Sequence, residues 1–560
     1  MSKIVVLYNH SNTYGLQKDA AGIQAALGGA NTVRTADPLE PPVPSDIAIH
    51  LEIPVYVWMP WATKNILMVN PEWFQEAWLP YMRRFDLVIY KDPQSAADAV
   101  SKGYVTQSQV RVVPWGCAEP VAPPATKAKG TADTGFVWFL AGSLSKRAYV
   151  PTLLPLWRES YPPLRIYSVE PVDCSGLVVP SNVRFEVKDL DPKIRAGLSQ
   201  FFRGHVGCSA AEGFSYLAAE AEWSGAFTLL NRLNCYVADY TGTPGVHMVD
   251  TQEELDAAMQ AFTDTDFDVL APLRRASAAK RWATFQAGFA AAVASLGSIS
   301  GAQQQLPPIL LPEDCPPISV VTLLYNRRKF FELACHSMLM TDYPKDKIEW
   351  IIVEDSDDPN EDASDRVVQV GLNAAPLQLA YMPLEKKTPI GQKRNLGIEK
   401  AKNDIILMMD DDDHLPETAI RRRVAWLIKS PLPDTKATAC TTIACYDLIR
   451  GVSAVNTPPW NLPLRKRISE ATLTFYKTWW KEQPFDTTSM AEGEGLLKGR
   501  EQDLLEMPPQ QILVAFSHSK NTSGSRQLPK EAKTGCFWGF PKEYLLYIHK
   551  LAGVEVEEDA

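Results

Sequence analysis

The sequence DIILMMDDDDHLP, residues 404–416, decides how the rest of the chain is read. Its apolar run, 405–409, has the length and character of a buried strand. Four consecutive aspartates, Asp410, Asp411, Asp412 and Asp413, follow at the carboxyl end of that strand. Like charges held this close are costly unless a cation lies among them. A strand ending in clustered carboxylates is therefore a candidate site for a hard divalent ion. The competing reading is a solvated acidic turn capping the next helix. The apolar strand before the cluster and the motifs on either side of it argue against that reading.

Three further strands are expected upstream. Residues 318–324 lead into Tyr325-Asn326-Arg327, 348–353 into Glu354-Asp355-Ser356, and 377–382 towards Glu385 and Lys386-Lys387. Helices are expected between them at 328–340, 362–372 and 389–401. In an open parallel sheet, ligands bind beyond the carboxyl ends of the strands, so Asn326, Asp355 and Asp410 would share one rim. Thr388 is the expected cap of the last helix, with Pro389 at its first position. Lys393 and Arg394 in the first turns, together with the helix N-terminus, suit a diphosphate.

Residues 312–560 thus resemble a family 2-type glycosyltransferase with the GT-A fold. The resemblance rests on 322–327, on Val353-Glu354-Asp355-Ser356, on Gly391-Gln392-Lys393-Arg394-Asn395, and on an Asp-x-Asp motif at Asp410 and Asp412. It implies a nucleotide-sugar donor held by Asn326, Asp355, Lys393, Arg394, Asp410 and Asp411. It also implies Mn²⁺ or Mg²⁺ on Asp412, Asp410 and Asp413, with His518, after a strand expected at 512–516, completing the shell. The family's catalytic acidic pair falls at Ala491-Glu492-Gly493-Glu494, where glycine stands in place of the expected aspartate. The base is then Glu492 or Glu494, with Glu492 preferred. Arg526 would reach the phosphates from a loop at 522–524, and transfer would proceed with inversion. The aromatics at 476–480 and Phe485 are read as core, although they would also suit stacking on a sugar ring.

The first 300 residues alternate short apolar strands with helices, an α/β pattern. Strands are expected at 4–8, 47–49, 55–57, 66–69 and 87–89, then at 136–141, 164–169, 183–187, 206–209 and 227–230. Linker-like composition at 120–135 and 297–317 divides the chain into about 1–122, 128–300 and 312–560. Within 128–300, Glu212 and Glu220 are separated by seven residues in Ala-Glu-Gly-Phe-Ser-Tyr-Leu-Ala-Ala-Glu-Ala. That spacing places both where a ligand at the helix N-terminus could meet them. It resembles the two-glutamate motif of family 4-type glycosyltransferases with the GT-B fold. The resemblance puts Glu220 on the nucleotide ribose, Glu212 beside the sugar, and Lys146 and Arg147 on the diphosphate, with retention and no metal. The family's arginine after the glycine of that strand is Ser143 here.

The expected architecture is therefore α/β: a GT-B-like pair of Rossmann-like domains followed by a GT-A Rossmann-like domain with a mixed sheet. A chain of 560 residues has room for several domains, and its composition, 46% apolar and 22% charged, is that of a globular protein. The formal charge of −10 gives no support to nucleic acid as the main partner. The N-terminus reads as a first strand, not a signal peptide, and no run approaches a membrane span. Nine scattered cysteines without metal-ligand spacing suit a reducing compartment, and a cytoplasmic location is expected.

The expected activity is a two-module transfer from UDP- or GDP-linked sugars to a glycan or glycoconjugate, of the kind encoded by large DNA viruses and bacteria. The alternatives are one active GT-A domain beside an inert GT-B-like scaffold, or a carbohydrate-binding protein without activity. A nucleotidyltransferase would be expected to carry a Gly-rich loop after its first strand, where this chain has Tyr325-Asn326-Arg327-Arg328-Lys329.

Overall fold

The computed structural model describes residues 2–12, 15–71, 73–120, 133–297, 306–432, 434–521 and 538–554. They form two compact units. The amino-terminal unit holds the described residues up to 297 except 41–44 and 56–61, which group with the carboxyl-terminal unit.

The amino-terminal unit contains two six-stranded sheets in which every neighbouring pair is parallel. In the first sheet the order is Thr32–Ala36, Lys3–Leu7, Ser45–Leu51, Ala62–Met68, Leu87–Tyr90, Val110–Val112. In the second it is Val246–Met248, Phe227–Leu230, Phe202–Val206, Asp133–Ala141, Leu164–Ser168, Val183–Val187. The second order is the doubly wound arrangement of a dinucleotide-binding fold, with its switch point between Phe202–Val206 and Asp133–Ala141.

Two expectations need correction, and two strands were not expected. Residues 55–57 are not a strand, because Tyr56–Trp61 winds into a 3₁₀ turn. The strand expected at 206–209 runs instead over Phe202–Val206. Thr32–Ala36 and Val110–Val112, unforeseen, pair at or near sheet edges, where short half-exposed strands leave little apolar signal.

Two histidines in this unit are buried and neutral. His50 Nδ1 accepts from the Val55 N–H at 3.0 Å, and its Nε2 faces Asn65 Oδ1 at 3.1 Å. Burial lowers both His50 and His205 to about 4 from the usual 6.5. The unfolded chain therefore takes up protons below pH 6.5 that the native state refuses until about pH 4. Stability is present above that window and is lost as pH falls through it. Between pH 6.5 and 5 each histidine should cost about 2 kcal/mol. The urea midpoint should drop over that range, less steeply in His50→Gln. An unchanged midpoint would exclude the neutral buried imidazoles.

The carboxyl-terminal unit has a seven-stranded mixed sheet. Its order is Gln378–Pro383, Ile348–Glu354, Ile318–Leu324, Ile405–Met408, Thr474–Tyr476, Ala437–Ala439, Leu504–Glu506. The first four strands are parallel, and Thr474–Tyr476 turns antiparallel to Ile405–Met408. Ile348–Glu354 and Ile405–Met408 are buried along their whole length, as a sheet covered on both faces requires. A second sheet joins Val452–Asn456, Ile443–Asp447 and Val514–Ser517. The architecture is the α/β class expected, a pair of Rossmann-like sheets and then a mixed sheet. The eight described cysteines are all free thiols. Among the described residues no helix is long and apolar enough to cross a membrane.

Candidate active site

Ile318–Leu324 lies between Ile348–Glu354 and Ile405–Met408, so the sheet reverses its winding between Ile318–Leu324 and Ile405–Met408. Residues following those strands meet at the carboxyl-end rim. Asp410, Asp412 and Asp413 each present an oxygen, and the three oxygens lie within 4.8 Å of one another. Asp411, Asp412 and Asp413 are buried, while Asp410 is half-buried. The acid turn is held from behind by Arg423, whose buried guanidinium donates to the carbonyls of Met408 at 2.9 Å and Leu473 at 2.7 Å.

Crowding shows in the protonation of the cluster. Burial, opposed by Arg327 and reinforced by Asp412 and Asp410, holds the Asp411 carboxyl well above the usual carboxylate range. Arg327 pairs with Asp412 and reaches Asp411 at 3.2 Å. Its own charge is disfavoured by burial, but Asp411 and Asp412 outweigh that and hold it protonated. Sequence reasoning quoted Arg327 within the first-strand loop and gave it no task.

His518 stacks on Phe330, with ring centroids 3.7 Å apart, and its Nε2 lies 3.2 Å from Asp412 Oδ2. Its Nδ1 accepts from the Lys520 N–H at 3.2 Å. That bond puts the ring proton on Nε2, so His518 donates to Asp412 as placed. Ligation of an ion through Nε2 would require that proton to leave. Asp413 also carries a structural duty, accepting from the Phe516 N–H at 3.1 Å.

Asp355 follows Ile348–Glu354 and is buried against Lys393, which also donates to the Leu324 carbonyl at 3.3 Å. Burial lowers the Lys393 pKa, with Asp355 opposing. Asp355 Oδ2 accepts from the Thr388 N–H at 2.7 Å. The helix begins at Ile390 with Pro389 as its cap, so Thr388 is not the cap residue expected; its N–H serves Asp355 instead. Asn326, at φ 49°, adopts the left-handed conformation that asparagine tolerates. Its carboxamide fastens the neighbouring loop by bonding Asp357 and Asp358.

On the other side of the acid turn, Arg394 donates to Glu492 at 3.0 Å and comes within 3.9 Å of Asp410. Glu494 points elsewhere and faces Lys466 at 3.8 Å. Glu470, which sequence reasoning missed, joins this group. Burial, then Glu492, push its carboxyl up to about 7 against the pull of Arg394. The signal that finds it is strand register. Leu407 pairs with Thr474 and Ile405 with Tyr476, so an antiparallel continuation sets residue 470 level with the acid turn. Arg526 lies outside the described residues.

The amino-terminal residues fall into two groups. Glu212 pairs with Lys146 at 2.8 Å. Glu220, on helix Tyr216–Ser224, is bonded by Lys18 and lies 3.5 Å from Arg195. Arg147 pairs with Glu170. Glu220, Lys18 and Arg195 line a cavity of about 460 Å³ with Tyr216, Trp223 and Trp282; Glu212, Lys146 and Arg147 do not line it. At Gly213 a side chain would meet the Asn70 carboxamide oxygen at 1.7 Å, so only glycine fits against that residue.

Residues 319–440 match the family model described as Glycosyl transferase family 2. A poly(ribitol-phosphate) beta-N-acetylglucosaminyltransferase, TarS, of Staphylococcus aureus is 25% identical over 109 residues, 20% of this chain and 18% of the relative. The chain thus spans about a fifth of the length of the curated relatives it matches. Among solved structures, a mannosyltransferase from Pyrobaculum calidifontis in complex with GDP-Man and Mn²⁺ aligns at TM-score 0.30 and 16% identity, over 40% of this chain and 61% of that one. Sucrose-phosphate synthase from Thermosynechococcus elongatus aligns at TM-score 0.40 and 14% identity, over 52% of this chain and 97% of that one.

Proposed function

We propose that this chain is a glycosyltransferase whose carboxyl-terminal unit moves a sugar from a UDP- or GDP-linked donor to a hydroxyl of a glycan or glycoconjugate. The observation that carries the reading is the rim of the mixed sheet. There three aspartate oxygens within 4.8 Å of one another adjoin buried Lys393 and Arg394, which lie on a helix starting at that rim. Excess carboxylates, crowded enough that burial and its neighbours hold the Asp411 carboxyl well above the usual carboxylate range, fit a hard divalent ion. Asp410, Asp412 and Asp413 would hold it, and Mn²⁺ or Mg²⁺ there would supply charge neutralisation for the diphosphate leaving group.

The chain's own groups divide the remaining work. Asp355 and Asn326 shape the nucleoside end of the rim. Lys393 and Arg394 bring positive charge to the diphosphate from the helix N-terminus. The acceptor hydroxyl approaches from the side of Glu492 and loses its proton to a carboxylate there. Of Glu492 and Glu494, only Glu492 shares Arg394 with Asp410, which favours it over Glu494 for a place beside the reacting atoms.

A second, metal-independent retaining transfer in the amino-terminal unit is supported by one observation. Glu220 lines a cavity with Lys18 and Arg195, which gives an anionic ligand two cations. One experiment tests both readings. The full chain is incubated with Mn²⁺ and UDP-N-acetylglucosamine, UDP-glucose or GDP-mannose, with and without EDTA, and nucleotide release is followed. Release that EDTA abolishes is expected from the carboxyl-terminal unit. Release that survives EDTA and disappears in Glu220→Gln would belong to the amino-terminal unit. No release from any donor counts against the proposal.

A further inference from the structure

Glu470 begins a short 3₁₀ turn, Glu470–Thr472, that leads into the strand antiparallel to the acid strand. Its side chain occupies a particular space. A Cβ built on Gly493 would lie 2.9 Å from Glu470 Oε1, 3.1 Å from Cγ and 3.3 Å from Cδ. With a side chain at 493 the Glu470 carboxyl would have to shift from this position. A residue with a side chain at 493 would claim the same volume.

The two glutamates of this group are in different electrostatic states. Glu492 is buried and held by the Arg394 guanidinium at 3.0 Å, so its carboxylate is already engaged in an ion pair. Glu470, a half-buried residue, has no ion-pair partner within 4.0 Å among the described residues. Arg394, Glu492 and Asp410 are the charged groups that act on it.

We propose that Glu470 is the base of the transfer reaction, its carboxylate using the space that Gly493 leaves open, with Glu492 and Arg394 as the nearby charges that act on it. The inference rests on the glycosyltransferase reading above. In the step, a lone pair of the acceptor oxygen forms the bond to the anomeric carbon. The bond from that carbon to the diphosphate oxygen breaks, and its electron pair leaves with the nucleoside diphosphate. The acceptor's hydroxyl proton moves to a Glu470 carboxylate oxygen. In the absence of a glycan, water takes the place of the acceptor and the products are free sugar and nucleotide. A proton affinity raised by burial and the neighbouring Glu492 suits a group that must take a proton near neutral pH.

The test uses the full chain with Mn²⁺ and whichever of UDP-N-acetylglucosamine, UDP-glucose and GDP-mannose the unaltered protein hydrolyses. Glu470→Gln should lower kcat by about 10²- to 10⁴-fold, the range for loss of a general base. Its Kd for the same donor, measured by calorimetry, should stay within about twofold, because the residue acts on the acceptor side. A relocated carboxyl provides the second arm. The double variant Glu470→Gly with Gly493→Asp returns an acid to the same space, and it should recover at least about tenfold in kcat over Glu470→Gln, as a proton acceptor again comes within reach. A Glu470→Gln kcat within threefold of the unaltered protein, or no recovery in the double variant, overturns the assignment while leaving the glycosyltransferase reading in place. Failure of the unaltered protein to hydrolyse any of the donors overturns that reading, and the assignment with it.

Discussion

Asp412→Asn is expected to abolish the EDTA-sensitive turnover, with a loss of roughly 10³-fold, and to leave the fold intact. The size follows from removing about 4 kcal/mol of charge stabilisation at the leaving group, the scale on which a bound divalent ion acts. The folding side has the opposite sign. Asp412 stands among Asp410, Asp411 and Asp413, and burial with like charges already raises the Asp411 carboxyl well above the usual carboxylate range. Asparagine keeps an oxygen for Arg327, His518 and Asn521 while removing one charge from the cluster. The apo variant should therefore unfold at the same temperature as the unaltered protein, or slightly above it. Mn²⁺ separates the two directly. An ion that binds only the native state stabilises by about 2.7 kcal/mol at a hundredfold excess over Kd, so Tm should rise with Mn²⁺ in the unaltered protein and not in Asp412→Asn. An equal rise in both would remove Asp412 from the ion site, whatever the effect on turnover.

Much of this site was readable because it depends on local pattern plus one rule of topology. An apolar run followed by Asp410–Asp413 places acids at a strand end, and the parallel order of Gln378–Pro383, Ile348–Glu354, Ile318–Leu324 and Ile405–Met408 brings Asn326, Asp355 and Asp410 to one rim. Lys393 and Arg394 were accessible for the same reason, being in the first turns of a helix that must start at that rim. Glu470 was not accessible in this way. It reaches the acid turn only through the antiparallel pairing of Thr474–Tyr476 with Ile405–Met408, a contact between segments about 70 residues apart that leaves no periodicity in either. Arg423 is similar: its sequence context is an ordinary basic helix, yet its guanidinium fixes the carbonyl of Met408, two residues before the acids begin. In the amino-terminal unit the seven-residue interval between Glu212 and Glu220 suggested one shared ligand. Their cations come from distant elements instead, Lys146 for Glu212 and Lys18 with Arg195 for Glu220, so helical spacing alone could not pair them.

Lys393→Met should be the most destabilising single change at the site. Asp355 is buried, and Lys393 is the cation that neutralises it. Methionine fills the volume of the lysine stem but leaves a carboxylate inside the protein without a counter-charge. Stranding one member of a buried pair costs about 3–5 kcal/mol, far more than the net contribution of the intact pair. Asp355→Asn with Lys393→Met removes both charges, and asparagine still offers an oxygen to the Thr388 N–H. The double variant should therefore recover about 2–3 kcal/mol of the single variant's loss, a coupling of the size found for groups in direct contact. Urea unfolding of the four proteins in the cycle measures it. A cost below about 1 kcal/mol for Lys393→Met would mean that the pair is solvated like a surface ion pair. The functional consequence is distinct from the stability loss. Thr388 precedes the helix that carries Arg394, and Asp355 holds it by the N–H bond at 2.7 Å. In the double variant that bond can survive while both charges are gone, so recovered stability with donor binding still lost would assign the Asp355–Lys393 pair to the donor site and not merely to the fold.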